Sequence, residues 1–154
     1  MTTQGEKAGA LFTIGYERAA LAGFVAALKS AGVATLVDVR DRPWSQRPEF
    51  RRDALRRHLL EAGIGYVHIR ALGNPKEGRD AAKQGDVETY RRHMDERLAS
   101  ADGQAGLVKA GELAREGPIC LMCYERDPAH CHRSRVANVL VARGLGAPGH
   151  LFAS

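Results

Sequence analysis

The chain has 154 residues, of which 44% are apolar and 27% are charged. This length suits one domain with a hydrophobic core, and the composition excludes a disordered or fibrous chain. Lysine and arginine outnumber aspartate and glutamate by 23 to 18, and the net charge of +5 favours anionic partners without identifying one.

The first ten residues are polar and lack the apolar segment of a signal peptide, and no later stretch is long enough to span a bilayer. We therefore expect a cytoplasmic protein that does not bind membranes, with a flexible tail over residues 1–10 and a single α/β domain over 11–154. Three cysteines lie between Cys120 and Cys131. Such crowding is typical of free thiols or a metal site rather than of a disulfide framework.

Strand and helix patterns alternate along the first half of the chain. Leu11–Gly15 is strand-like, and its final glycine can adopt backbone angles that other residues avoid. Apolar residues at helical spacing follow and predict a helix that ends near Gly32. Residues 33–39 are nearly continuous in apolar and β-branched residues, as in a strand buried on both faces of a parallel sheet. A second helix is predicted over 48–63, with its apolar stripe inward and its arginines outward.

The second half continues the alternation. Its predicted elements are a strand over 64–69, a long loop over 72–85, helices over 87–98 and 107–115, a strand over 119–123, a last helix from Asp127 to Gly144 and an edge strand over 150–152. Asp127 and Pro128 form a suitable N-cap and first-turn pair for the last helix. The whole pattern predicts an α/β fold with a mainly parallel sheet of four to five strands flanked by helices.

Ligands of such sheets bind beyond the carboxyl ends of the strands, so the residues there are the candidates for a site. They are Gly15, Tyr16, Glu17, Asp38, Arg40, Ser45, Arg70, Cys123 and Glu125. Cys123 and Glu125 are two apart in an extended segment and should point the same way. Glu125 would act as a general acid or base, or would form an ion pair with Arg133 or Arg40, which is the favoured interpretation. Trp44 is expected to cap the core rather than to stack on a ligand.

Cys131 falls in the predicted first turn of the last helix, beside His132 and Arg133. Unpaired N–H groups and the helix dipole favour a thiolate at such a position, so Cys131 is a candidate nucleophile. The alternative is a buried cysteine that packs on the sheet.

A metal site is the main rival interpretation of the cysteine cluster. Cys120 and Cys123 lie three apart in a strand and should point to opposite faces, which argues against a site that contains both. A smaller set of Cys123, Cys131 and one histidine is the alternative that stays open. We assign no metal ligand and no cofactor from the sequence.

Several short motifs, taken in order, are those of a known family. They are Thr13-Ile14-Gly15-Tyr16, Asp38-Val39-Arg40 with Pro43 and Ser45, Leu72-Gly73, Cys123-Tyr124-Glu125 and Cys131-His132-Arg133. Over nearly its whole length the chain resembles the domain of unknown function 488 family, small bacterial and archaeal proteins. The resemblance implies a single α/β domain and no particular activity. It marks as signature positions Gly15, Tyr16, Asp38, Arg40, Pro43, Ser45, Cys123, Glu125, Cys131, His132 and Arg133. Asn74 stands where many members carry a second glycine after Gly73.

We therefore predict an enzyme-like domain with an anionic ligand, of nucleotide or nucleic-acid type, in a pocket at the strand ends. The predicted ligand-binding residues are Gly15, Tyr16, Asp38, Arg40, Ser45 and Arg133, with the two arginines holding the anion. The predicted catalytic residues are Cys123, Glu125, Cys131 and His132, with a thiol as nucleophile or redox centre. The alternatives are a non-catalytic nucleic-acid-binding module that uses the arginines of residues 51–57, and a metal-stabilised domain. The sequence does not indicate an oligomeric state.

Overall fold

Five parallel strands form one sheet in the computed structural model, which describes residues 10–154. The strands are β1 (Leu11–Gly15), β2 (Thr35–Asp38), β3 (Gly65–His68), β4 (Ile119–Cys123) and β5 (Gly149–Phe152). Their order is β3-β2-β4-β1-β5, so β4 lies at the centre and β3 and β5 at the edges. Of the tail predicted over 1–10, all but the last residue lies outside the described part of the chain.

Helices cover both faces of the sheet. They are α1 (Leu21–Ser30), α2 (Arg52–Glu61), α3 (Lys76–Lys83), α4 (Val87–Ala99), α5 (Ala101–Glu116) and α6 (Arg133–Ala142). The apolar stripes of α1 and α2 pack on one face and those of α4, α5 and α6 on the other. The predicted α/β fold with a parallel sheet is confirmed. No helix within residues 10–154 is both long enough and apolar enough to cross a membrane.

The central strand β4 is buried along its whole length, between β1 and β2. Its side chains alternate, so that Cys123 lies in the core beneath α4, α5 and α6 while Cys120 lies in the core beneath α1 and α2. This confirms that the two cysteines point to opposite faces, as the period of a strand requires. Gly15 pairs with Cys123 and Asp38 with Met122, so the ends of β1, β2 and β4 are level.

The glycines act in two different ways. Gly32 and Gly63 have φ values of 75° and 79° and follow α1 and α2, as the sequence predicted. The sequence suggested a glycine at position 15 because of unusual backbone angles. That explanation was wrong, since φ of Gly15 is not in the left-handed region. A Cβ at Gly15 would collide with the backbone carbonyl of Glu125. A glycine is needed there because the segment after β4 passes directly against the end of β1.

The prediction of a long loop over 72–85 was wrong, because most of these residues form α3. Pro75 immediately precedes this helix, and Gly78 lies inside it. Proline and glycine suggested a loop, but a Cβ at Gly78 would collide with the side-chain oxygen of Asn74. The glycine therefore serves close packing rather than a turn.

The last helix begins at Arg133, six residues later than predicted. The Asp127 side chain accepts a hydrogen bond from the Ala129 N–H at 2.9 Å, but it caps a short 3-10 turn over Pro128–His130. Cys131 follows that turn in an extended conformation, with φ −128° and ψ 142°. It therefore precedes the first turn of α6 instead of lying in it, but its Sγ still accepts a hydrogen bond from the backbone N–H of Arg133, the first residue of that helix, at 3.4 Å. The predicted second helix is likewise split, into a 3-10 turn over Pro48–Phe50 and α2.

Asp41, just beyond β2, holds the long connection from β3 to β4. Its side chain is 7% exposed and pairs with Arg70 at 3.1 Å, Arg79 at 2.7 Å and Arg97 at 2.8 Å. These arginines come from the segment after β3, from α3 and from α4. Burial alone would raise the pKa of Asp41, but the hydrogen bonds from Arg79 and Arg97 lower it from 3.8 to about 2.

We expect the Asp41→Asn variant to be less stable by about 2 kcal/mol at neutral pH, from the downward pKa shift. A carboxyl with a lowered native pKa stabilises the fold above its unfolded pKa. The difference between wild type and variant should therefore shrink as the pH falls from about 4 to about 2. Urea denaturation of both proteins across this range measures it. Asp53→Asn, at a carboxylate 77% exposed, is the control, and an equal effect of both changes would contradict the role of Asp41.

Candidate functional site

A cavity of about 260 Å³ opens at the carboxyl ends of β1, β2 and β4. Its wall is formed by Tyr16, Arg40, Asp41, Arg42, Trp44, Asn74, Arg79, Cys123, Tyr124, Glu125 and His132. The connections from β1 and β2 run toward β3, whereas the connection from β4 runs toward β5. The cavity thus lies where the strand order reverses, which is the usual ligand position in open α/β sheets.

Asp38 and Arg40 form a buried ion pair beneath this cavity. Arg40 donates from Nε to Oδ1 of Asp38 at 2.9 Å and from Nη2 to Oδ2 at 2.8 Å. The hydroxyl of Tyr66 donates to the same Oδ2 at 2.5 Å. Burial works against the charged form of Arg40, but the hydrogen bond and the charge of Asp38 outweigh burial and raise the pKa of Arg40. Arg40 reaches the cavity, whereas Asp38 positions Arg40 and is not part of the wall.

Aromatic side chains form another part of the wall. The Tyr16 ring stacks on Phe50 with centroids 4.6 Å apart and meets the Tyr124 ring edge-on at 5.3 Å. Trp44 is 49% exposed, and the guanidinium of Arg51 lies 4.9 Å from its ring centroid. The prediction that Trp44 caps the core was therefore wrong, because one side of its ring system borders the cavity and another supports an arginine.

The sulfur atoms of Cys123 and Cys131 lie within bonding distance and form a disulfide, with 7.2 Å between the Cα atoms. The prediction of free thiols was thus wrong for this pair. It failed because the extended segment before α6, which carries Cys131 to the end of β4, has no signal in the sequence. Cys120 is the remaining cysteine and is a buried free thiol on the opposite face, where burial raises its pKa.

His132 lies directly beside the cysteine pair. Its Nε2 is 2.6 Å from the backbone carbonyl oxygen of Val39, which can only accept, so Nε2 carries the proton and donates. Burial lowers the pKa of His132 from 6.5 to about 4. Nδ1 is consequently unprotonated at neutral pH, and it lies 3.8 Å from Sγ of Cys131. The ring is neutral and its free lone pair faces the sulfur.

Arg133 is fully buried behind the cavity. Its Nη1 donates to Sγ of Cys123 at 3.0 Å and to the carbonyl oxygen of Glu125 at 2.5 Å, while Nη2 donates to the carbonyl oxygen of Arg126 at 3.2 Å. Its backbone N–H donates to Sγ of Cys131 at 3.4 Å. Burial lowers the pKa of Arg133. Arg133 therefore orders the segment after β4; it is not part of the cavity wall, and its contact with an anion stays a prediction.

Glu125 belongs to the cavity wall, and its Oε1 lies 3.6 Å from Sγ of Cys123. This confirms that the two side chains point the same way. The carboxylate is close enough to the sulfur to exchange a proton with a reduced Cys123. The pairing of Glu125 with an arginine stays a prediction.

Three other predicted residues lie outside the cavity wall. Ser45 accepts a hydrogen bond from the backbone N–H of Arg47 at 3.1 Å and so stabilises a turn. Arg70 is exposed and pairs with Asp41. Glu17 accepts from the backbone N–H of Arg126 at 3.0 Å, which ties the segment after β1 to the segment after β4.

Sequence reasoning missed six residues of the wall, namely Asp41, Arg42, Trp44, Asn74, Arg79 and Tyr124. Arg42 and Asp41 follow Arg40 directly, so their place after β2 was an available signal. Asn74 and Arg79 come from a segment predicted to be a long loop, which is often part of a binding site, but no pattern placed either side chain in the wall. The side-chain oxygen of Asn74 is buried without a hydrogen-bond partner in the described part of the chain.

These features define an all-parallel α/β protein in which one cysteine of a bonded pair lies in the wall of a strand-end cavity. Residues 20–140 match the family described as Domain of unknown function DUF488, which is more than half of the chain. The chain belongs to this family, as its motifs indicated. No curated protein and no solved structure gave a significant match.

Thiol counting should confirm the pairing of the cysteines. In the oxidised, folded protein we expect no fast-reacting thiol, because Cys120 is fully buried. Unfolding without reductant should expose only the thiol of Cys120, and a reductant should release those of Cys123 and Cys131. Trypsin cleaves after Arg126, and fragmentation of the linked peptides between Cys120 and Cys123 would identify the bonded cysteine by mass spectrometry. Three thiols without reductant, or a bond to Cys120, would contradict the pairing.

Proposed function

We propose that the protein is enzyme-like and binds an anionic ligand of nucleotide type in the strand-end cavity, with Cys123 as the reactive group beside the ligand. The observation that carries this proposal is the combination of free positive charge and aromatic surface in one cavity wall. Arg42 is exposed and makes no ion pair with any residue of the described part of the chain. Trp44 and Tyr124 are exposed aromatic residues of the same wall.

Positive charge exceeds negative charge around the cavity. Asp41 is one carboxylate shared by three guanidinium groups, so that group of residues retains a net positive charge. The charge of Arg40 is neutralised by Asp38. Two hydrogen bonds to the Asp38 carboxylate nevertheless hold the Arg40 guanidinium in a fixed orientation. A planar guanidinium that is already oriented binds a phosphate or carboxylate at a low entropic cost.

The aromatic residues favour a ligand with a ring system. Tyr16 is fixed by its stacking on Phe50, and Trp44 and Tyr124 are about half exposed. Stacking of a base on such rings contributes about 1–3 kcal/mol per base. A ligand with both a base and a phosphate would use the two parts of the wall together. A simple inorganic anion would use only one of them.

The chemistry of the site centres on Cys123. After reduction of the pair, the N–H of Arg133 beside Sγ favours the thiolate, since an adjacent cation stabilises it. Glu125, at 3.6 Å, would accept the proton. The free lone pair of His132 faces Cys131, so a second base is present for the second thiol. A nucleophilic or redox step at Cys123 would take place at the cavity surface.

The single tryptophan of the chain, Trp44, is part of the cavity wall and offers a direct test. We expect adenosine monophosphate to change the fluorescence of Trp44 saturably, and adenosine and inorganic phosphate to bind much more weakly. Arg42→Gln should weaken binding about tenfold, the effect of losing one charge-assisted hydrogen bond. Arg115→Gln, an equal charge change at an exposed position in the last turn of α5, just before the amino end of β4, should have no effect.

Binding that is indifferent to Arg42→Gln would contradict the proposal. An oligonucleotide whose affinity falls steeply with salt and depends on Arg52 and Arg56 would instead support binding through the exposed face of α2. That outcome would favour the nucleic-acid-binding module over the cavity ligand. Cys123→Ser removes the reactive sulfur and also breaks the disulfide, so it should retain nucleotide binding and lose any reaction at the cavity surface.

A further inference from the structure

We propose that the reduced forms of Cys123 and Cys131, together with His132, bind one thiophilic divalent cation of the zinc type, and that oxidation of the two cysteines to the disulfide releases it. The three candidate ligand atoms, two sulfurs and one ring nitrogen, all lie within 4.8 Å of one another. Ligands of a tetrahedral zinc ion, with bonds of about 2.0–2.3 Å, lie roughly 3.3–3.8 Å apart. The positions of the three ligand atoms therefore fit one zinc ion once the disulfide is reduced and the two sulfurs move apart.

The backbone already accommodates such a separation. The Cα atoms of Cys123 and Cys131 are 7.2 Å apart, beyond the separation of about 4.4–6.8 Å that is usual for a disulfide. Two thiolates that bind one ion from opposite sides need a wider backbone spacing than a direct bond does. The Sγ of Cys131 and Nδ1 of His132 are 3.8 Å apart, the distance expected of two ligands of one ion.

His132 is oriented as a metal ligand rather than as a free base. Its Nε2–H donates to the carbonyl oxygen of Val39 at 2.6 Å, which fixes the tautomer and leaves Nδ1 without a proton. Metal-binding histidines typically donate their second ring N–H to a carbonyl or carboxylate in this way. The contact orients the lone pair toward the two sulfurs before any ion binds.

Both sulfurs also accept hydrogen bonds from Arg133, from Nη1 to Cys123 at 3.0 Å and from the backbone N–H to Cys131 at 3.4 Å. N–H donors to sulfur stabilise its negative charge, as in the outer shell of metal thiolates. The ligands are two soft sulfurs and an imidazole, a set that selects zinc over magnesium or calcium. Cys123, His132 and Glu125 belong to the cavity wall, so a fourth ligand has access from the cavity.

The two states exchange by a balanced reaction. The reduced dithiol binds the cation and releases two protons, which gives a neutral zinc dithiolate unit. Hydrogen peroxide then takes two electrons in total from the two sulfurs: the S–S bond forms, the O–O bond breaks, two protons are taken up, and two water molecules and the cation leave. Since the same two sulfurs serve both states, metal binding and the disulfide exclude each other. This inference does not depend on the cavity ligand.

Cobalt(II) is the spectroscopic probe for this site. We expect the reduced, chelator-treated full chain to bind one cobalt ion with thiolate-to-cobalt charge-transfer absorption, and zinc to displace it. Hydrogen peroxide should abolish the absorption and release the ion as the disulfide forms, and a reductant should restore binding. This cycle uses the wild-type chain, so it does not depend on the folding of a variant.

Variants assign the ligands. Cys123→Ser, Cys131→Ser and His132→Gln should each weaken cobalt binding by at least about tenfold, as loss of a ligand costs no less than loss of an outer-shell contact. Cys120→Ala removes the thiol on the opposite face of the sheet and should leave binding unchanged. A reduced chain that binds no cobalt or zinc would overturn the proposal. Binding that survives in Cys123→Ser, or that persists after the disulfide has formed, would overturn it equally.

Discussion

The buried guanidinium of Arg133 determines the shape of the segment on which the whole candidate site depends. A charge without water must have its hydrogen bonds supplied by the protein, or the desolvation cost is not offset. Here the carbonyl oxygens of Glu125 and Arg126 and the sulfur of Cys123 accept from the two Nη groups, while Nε has no hydrogen-bond partner in the described part of the chain. The segment after β4 is therefore folded back over the start of α6. Its carbonyl at Glu125 leaves no room for a Cβ on the neighbouring strand, which explains Gly15.

The other side of the cavity depends on two carboxylates three residues apart at the end of β2. Asp38 is fully buried and orients the guanidinium of Arg40. Asp41 forms ion pairs with arginines from three later parts of the chain. One strand end thus orients one cation of the wall and also anchors α3, which carries Arg79. Because both carboxylates are buried, Arg40 and Arg79 of the wall are held in place before a ligand binds. Such preorganisation makes the wall suited to a small, defined ligand.

Periodicity in the sequence was enough to predict β1, β4, α1 and the parallel sheet, because these elements are stabilised by burial of regular apolar stripes. It also predicted the candidate residues at the strand ends. It could not predict α3, where Gly78 serves packing, or the late start of α6, where Asp127 caps a turn in place of the helix. Nor could it distinguish Arg133 from Arg42. Arg133 is buried and Arg42 is exposed. Which of them reaches the cavity depends on the path of the chain after β4 for Arg133 and after β2 for Arg42.

The cysteine pair and the cavity share atoms, and this couples the two parts of the site. Cys123 and His132 belong to the cavity wall, while Cys131 lies behind them. Forming or breaking the bond at Cys123 changes the charge of the wall, since a thiolate carries a negative charge and a disulfide carries none. The proposed anionic ligand would be repelled by the thiolate and not by the disulfide, so it should bind the oxidised wall better. By thermodynamic linkage that ligand would favour oxidation by the same factor. The proposed cation would remove this repulsion, so the two proposed occupants would be compatible in one site.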